Sequence, residues 1–149
     1  MIVRQVFLKE ADAGLIAQCQ EIDRRCFPTE EALNFKKEIS SSIGYVLCAI
    51  TDRKCLGYIV MRKSSVVLSI CRIGVDSIAR RKGIGQKLLS SALQFARKHN
   101  MGSCSLHVEE ANIPAVRLYE KNNFEVQARN KDFYGISRHA LRMELEFLI

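Results

Sequence analysis

Apolar positions along the chain switch between a three-to-four-residue period and short continuous runs, and each switch marks a new element. Residues 2–8 carry Ile2, Val3, Val6, Phe7 and Leu8 around Arg4 and Gln5, a loose alternation that predicts a short first strand. Leu15, Ile16, Cys19 and Ile22 then recur at helical spacing, which predicts a helix from Asp12, its expected cap, to about Phe27. Pro28 ends it, and Thr29 is expected to cap a second short helix carrying Leu33, Phe35 and Ile39. Three apolar runs follow at 45–50, 55–61 and 66–75. The first link is the turn Asp52, Arg53, Lys54, and the short connections predict an antiparallel meander.

Helical spacing returns after Val75. Leu88, Leu89, Ala92, Leu93 and Ala96 make one stripe over residues 85–98, with Arg97 and Lys98 complementing the carbonyl end and Asn100 or Gly102 closing it. Residues 103–109 read as a strand. Asn112 is expected to cap a helix from Ile113 to Lys121, where Pro114 is tolerated because early helical N–H groups have no internal acceptor. Asn122 and Asn123 turn the chain, and strands at 124–131 and 138–147 complete it. The expected fold is α/β in the α+β sense: one domain over residues 1–149, with a mixed, mostly antiparallel sheet flanked by helices. A strand–helix–strand crossover places a parallel pair at its centre.

Composition narrows the classes. A chain of 149 residues, 48% hydrophobic and 26% charged, has the makeup of one globular domain rather than of disorder. No segment approaches the length of a membrane span, and the N-terminal residues do not form a signal peptide, so a cytoplasmic protein without a membrane partner is expected. The net charge of +7 suits an anionic partner without choosing one. Nucleic acid is not expected, because the sequence has no helix-turn-helix, finger or basic–aromatic repeat. The six cysteines, Cys19, Cys26, Cys48, Cys55, Cys71 and Cys104, form no Cys-x-x-Cys pair and the three histidines add no zinc spacing. Reduced core thiols and no metal are expected; a thiol acyl carrier would need a base at fixed spacing, which is missing.

The sharpest local feature is Arg80-Arg81-Lys82-Gly83-Ile84-Gly85-Gln86, between a strand and a helix. Glycines there let successive N–H groups converge, the helix adds its positive end, and the three basic residues add charge; together they suit a polyanion. The turn is neither a P-loop nor a dinucleotide fingerprint. The spacing Arg80-x-x-Gly83-x-Gly85 is similar to the signature of the GNAT superfamily of N-acetyltransferases. Upstream, Ile73-Gly74-Val75 resembles the family's cofactor strand. Downstream, Leu106-x-Val108-x-x-x-Asn112-x-x-Ala115-x-x-Leu118-Tyr119-x-x-x-x-Phe124 matches the family's second block. Phe27-Pro28, Phe133-Tyr134 and Ala140-x-x-Met143 extend the likeness to ribosomal-protein alanine N-acetyltransferases and other N-terminal acetyltransferases.

The resemblance implies acetyl-CoA as cosubstrate. Residues 81–86 would hold its pyrophosphate with Arg80 beside them, Ile73, Gly74 and Val75 would line the acyl arm, and Asn112 would contact pantetheine. It implies Tyr119 as the proton donor to the leaving thiolate, with Phe27, Phe133 and Tyr134 lining an acceptor groove. The acceptor implied is a protein or peptide with a free N-terminal amine, a ribosomal protein among the candidates. For the base, His107 and Glu109 alternate onto one strand face, and His107 stands where close relatives carry glutamate; Glu109 or Glu110 could instead attract the incoming cation. Small-molecule amine or lysine acetylation, and a non-catalytic CoA-binding or protein-interaction module, remain alternatives.

Overall fold

In the computed structural model, which describes residues 2–52 and 54–147, the chain runs β1 (Arg4–Phe7), α1 (Ala13–Cys26), α2 (Phe35–Ser40), β2 (Gly44–Thr51), β3 (Lys54–Ser64), β4 (Val67–Val75), α3 (Ile84–Lys98), β5 (Ser103–Glu109), α4 (Ile113–Lys121), β6 (Glu125–Gly135) and β7 (Arg138–Glu146). The strands form one sheet in the order β1-β2-β3-β4-β5-β7-β6. Every pairing is antiparallel except β4 with β5, the parallel pair joined by α3. Of the turn expected at 52–54, Arg53 lies outside the described residues.

The continuous apolar runs of β2 and β3 arise because both sheet faces are covered. Val46, Cys48, Ile50, Cys55, Tyr58 and Val60 join Ile16, Cys19, Ile22 and Phe35 in one core layer. Leu47, Ala49, Leu56, Ile59 and Met61 join Ile84, Leu88, Leu89, Ala92 and Ala96 in the other. Each fully buried leucine contributes about 1.5–3 kcal/mol.

Helix ends explain where expectation and structure part. Asp12 precedes α1, but its carboxylate accepts the Lys9 amide at 2.8 Å instead of capping the helix. The second helix does not start at Thr29. Thr29–Glu31 is one 3-10 turn, and α2 begins only after Asn34, whose side chain accepts the Lys37 amide at 3.1 Å. Between them Leu33 is pinned to α1, its N–H donating to Asp23 at 3.2 Å and its carbonyl accepting from Gln20 at 2.8 Å. That tie holds the segment out of the helix. Asn100 and Asn123, at φ 57° and 71°, close α3 and α4 with left-handed residues. After Asn123 the Phe124 amide returns to the Tyr119 carbonyl at 3.0 Å and the two rings pack 5.7 Å apart. This closure sets where Tyr119 lies.

One irregularity opens the sheet. Val60 faces Arg72 while Met61 faces Ile70, so Cys71 is an extra residue in β4. The pairing of β4 with β5 runs from Val67↔Ser103 to Ile70↔Leu106, ending next to that bulge. Beyond it β4 stays with β3 and β5 stays with β7, and a cleft separates them.

Candidate active site

The cleft contains two adjoining cavities. One, of about 210 Å³, lies between the bulged part of β4, the end of β5 and the 3-10 turn after α1. The other, of about 460 Å³, continues along Ile73, Gly74 and Val75 to Arg80 and Gly85. Cys26, Phe27, Ile73, Asn112, Ala115 and Tyr119 border both.

At the far end of the larger cavity the chain leaves β4 and enters α3. Arg81 and Gly83 are left-handed, at φ 64° and 75°, and Gly83 precedes the first helical residue, the conformation glycine adopts at no steric cost. The first α3 bond is from Lys87 N to Gly83 O. Among the described residues, none of the amides of Arg81, Lys82, Gly83, Ile84, Gly85 and Gln86 donates to another protein group. Arg81, Lys82 and Gly83 are exposed. This is a cradle of unspent N–H groups at a helix N-terminus, a geometry that suits an anion.

The side chains there divide differently from the amides. Ile84 is buried in the core. Gln86 is turned toward α4, exchanging hydrogen bonds with the Asn122 amide at 2.9 and 2.8 Å, so the expected Gln86 contribution is restricted to its backbone. Arg80 turns back along the cleft, its Nε 3.4 Å from Val75 O and its Nη2 3.4 Å from Cys26 Sγ. Gly74 lies against Tyr58, and a Cβ there would stand 2.5 Å from the ring. Asn112 Oδ1 caps α4 by accepting the Ala115 amide at 3.3 Å, while the residue borders both cavities.

Tyr119 projects from α4 at the junction of the cavities and is only 6% exposed. Burial raises its pKa, so its phenol stays protonated at neutral pH and can donate but not accept a proton. His107 stands across the cleft on β5, exposed on one side, with the Phe133 ring stacked on it at 4.7 Å. Desolvation and the neighbouring Arg142 lower its pKa, which keeps the imidazole neutral and basic at pH 7. Glu109 differs. Arg138 grips it with two bonds, 2.8 and 3.0 Å, and holds its carboxyl below the usual range, which makes it a poor proton acceptor. Glu110 is paired with Arg129 at 2.7 Å.

Of the expected acceptor residues, Phe27 and Tyr134 border the smaller cavity, whereas Phe133 lies outside both linings and covers His107. Several lining groups were not anticipated. Arg72 lies 4.1 Å over the Phe27 ring and donates to Asp23 at 3.1 Å and to Glu31 O at 2.9 Å. Asp23, fully buried, also accepts from Tyr58 Oη. Arg138 bridges Glu31 at 2.9 Å as well as Glu109, joining the turn after α1 to β5. One signal was legible: Asp23 is a charged residue on the helix face of Ile16, Cys19 and Ile22. Arg72 and Arg138 left no such mark. Cys26 and Cys71, expected in the core, border the cleft half-buried, because the helix end and the bulge carry them to its wall.

A sheet split at a strand bulge, with an open amide cradle where the bulged strand passes into a helix, defines an α/β domain with a cleft suited to an extended anionic ligand. The model of the acetyltransferase (GNAT) family matches residues 16–124. The chain belongs to this family and is an acetyltransferase. It is 31% identical to an N-alpha-acetyltransferase of Saccharolobus solfataricus, over 94% of this chain and 92% of that protein. It is 29% identical to the acetyltransferase PseH of Campylobacter jejuni, over 72% and 68%. Its fold matches the ribosomal-protein-S18-alanine N-acetyltransferase of Escherichia coli with a TM-score of 0.86 at 19% identity, over 99% of this chain and 96% of the other. Among the described residues, no helix is long and apolar enough to cross a membrane.

Proposed function

We propose that the protein transfers acetyl from acetyl-CoA to the N-terminal α-amine of a protein or peptide, by direct attack of the amine. The observation that carries the cofactor half is the run of six unspent amides at residues 81–86, which meets the cleft at Gly85, in the same lining as Ile73, Gly74 and Val75. Those amides, with Arg81 and Lys82 beside them, fit the CoA pyrophosphate, and Asn112 fits the pantetheine arm. Acetyl-CoA supplies an activated acetyl thioester when bound. Beyond Ile70 the edge of β4 that faced β5 is unpaired, and the main-chain N–H of Val75, which alternation turns away from β3, is the donor for charge developing on the carbonyl oxygen.

The acceptor half rests on the smaller cavity. Phe27 and Tyr134 provide apolar walls for a first side chain, while Glu31 and Glu109 share the single Arg138 cation and leave one net negative charge that draws in an ammonium group. An α-ammonium titrates near 8 and lysine near 10.4, so at neutral pH an α-amine is richer in free base by roughly two orders of magnitude. The demand on a base is correspondingly small, and neutral His107 meets it by taking the amine proton on a ring nitrogen. Tyr119 Oη delivers its proton to the departing sulfur. Glu109 is not the base in this mechanism; it anchors Arg138 and supplies field. The name of the Saccharolobus relative supports an α-amine acceptor.

Acetyl-CoA incubated with matched peptides, free or blocked at the N terminus, together with a polyamine and an aminoglycoside, tests the acceptor. One acetyl group on the free α-amine alone is expected. Equal labelling of internal lysines, or transfer to the small amines only, refutes the peptide-terminus reading. His107→Ala is expected to lower kcat/KM about 10²-fold, the lower end for a general base. It should also remove the limb in which the rate rises with pH through an ionisation below about 6.5. An unaltered pH profile removes His107 from the mechanism.

A further inference from the structure

Away from the cleft, three cysteines converge inside the core layer between α1 and the sheet. Cys19 comes from α1, Cys48 from β2 and Cys55 from β3. All three are reduced and buried, at 0%, 0% and 2% exposure. Their sulfurs stand 3.9 Å (Cys19–Cys48), 3.7 Å (Cys19–Cys55) and 2.9 Å (Cys48–Cys55) apart. The shortest separation is inside the optimal distance for non-bonded heavy atoms, about 3.5–4.0 Å, so packing alone pushes the two sulfurs apart.

We propose that Cys19, Cys48 and Cys55 form a binding site for one thiophilic divalent d10 cation of the zinc class. A triangle with these sides has its centre about 2.1 Å from each corner, and a zinc–thiolate bond is about 2.3 Å. An ion at bonding distance therefore lies about 1 Å out of the sulfur plane; tetrahedral thiolates stand about 3.8 Å apart, so the two edges from Cys19 fit and Cys48 and Cys55 part by roughly 0.9 Å on binding, with one apex left for an oxygen donor. Gln18 Oε1, 2.7 Å from the Cys55 amide, is a side-chain oxygen bound next to the cluster. The three sulfurs lie within one ligand set's reach of one another, which spacing in the sequence does not reveal.

The proton balance is explicit. One divalent cation enters and displaces two thiol protons to solvent with no change in buried charge; release of a third leaves one negative charge shared over three sulfurs. The bonds join α1 to β2 and β3. Because α1 also carries Asp23 and ends at Cys26, the ion would brace the wall of the cleft without touching the reacting groups.

Cadmium, which binds thiolates with an ultraviolet charge-transfer band, is the probe. Reduced, metal-free protein is titrated with Cd²⁺ and weighed by native mass spectrometry, and its Tm is followed. The wild type is expected to take one ion per chain, to show the band and to gain Tm, because a ligand bound only by the native state stabilises it. Cys104→Ala, which removes an equally buried thiol from the other core layer, and Cys26→Ser/Cys71→Ser, which removes the two half-buried ones, should do the same. Cys19→Ala and Cys48→Ala should lose the stoichiometric ion. Absence of binding by the wild type overturns the proposal, as does loss of binding in the Cys26→Ser/Cys71→Ser variant or retention in folded Cys48→Ala. Should the core variants fail to fold, wild type whose accessible thiols have been blocked by N-ethylmaleimide decides: it keeps the ion if the buried triad is the site and loses it otherwise.

Discussion

Tyr119→Phe is expected to slow turnover by about 10²–10⁴-fold, the range for a positioned general acid, while CoA affinity stays close to that of the parent. The phenol is a protonated donor at the junction of the two cavities, and burial keeps its proton in place through the neutral range. Phenylalanine retains the ring that packs on Phe124, so the closure of α4 and the cavity wall survive. The loss should therefore fall on kcat, with a KM for acetyl-CoA and a Tm near the parent values. If turnover is unchanged, the leaving sulfur takes its proton from elsewhere. If Tm falls in parallel, the hydroxyl is structural. Steady-state kinetics with a peptide acceptor, alongside calorimetry, separates these outcomes.

Asp23→Ala is expected to cost about 3–5 kcal/mol of stability, the penalty for removing one partner of a buried ion pair. For a chain of this size that is a Tm fall of roughly 6–20 °C. The carboxylate receives Tyr58 Oη, Arg72 Nη1 and the Leu33 amide, and without it all three lose a partner inside the protein. Arg72, mostly buried against Phe27, is left with an uncompensated charge at the floor of the smaller cavity. The variant should bind acceptor more weakly, because Phe27 and the turn at Thr29–Glu31 are both held through Arg72. A triple change, Asp23→Leu with Tyr58→Phe and Arg72→Met, should recover much of the stability, since apolar packing of similar volume often matches a buried ion pair. Denaturant melts of the single and triple variants measure this. A single-variant loss below about 1 kcal/mol, the range of an exposed pair, would mean that the network carries little of the fold.

The elements, the crossover and the cradle at residues 81–86 were readable because each rests on local chemistry. A helical stripe, a run of strand formers, a glycine with free φ and an asparagine able to go left-handed each act within a few residues. The same locality explains why Asn112 and Asn123 act as expected, while Asp12 holds the cap position of α1 without using its carboxylate there and Thr29 opens only a 3-10 turn. A capping side chain competes with whatever else it can reach: Asp12 found the Lys9 amide, and the segment after Thr29 was drawn to Asp23 and Gln20.

Packing decided the rest. The bulge at Cys71 is a mismatch between two strands, and no feature of β4 alone says that Val60 and Met61 will straddle it. The Asp23–Tyr58–Arg72 network joins residues up to 49 positions apart, and the Arg138–Glu31 bridge spans 107. Cys19, Cys48 and Cys55 meet for the same reason: burial gathers side chains by the face they occupy, whatever their distance along the chain. Local pattern therefore specifies which elements form and where main-chain N–H groups converge at a helix start. The charge pairs, cavity walls and thiol cluster depend on which faces become neighbours, a choice made by the free energy of the assembled core.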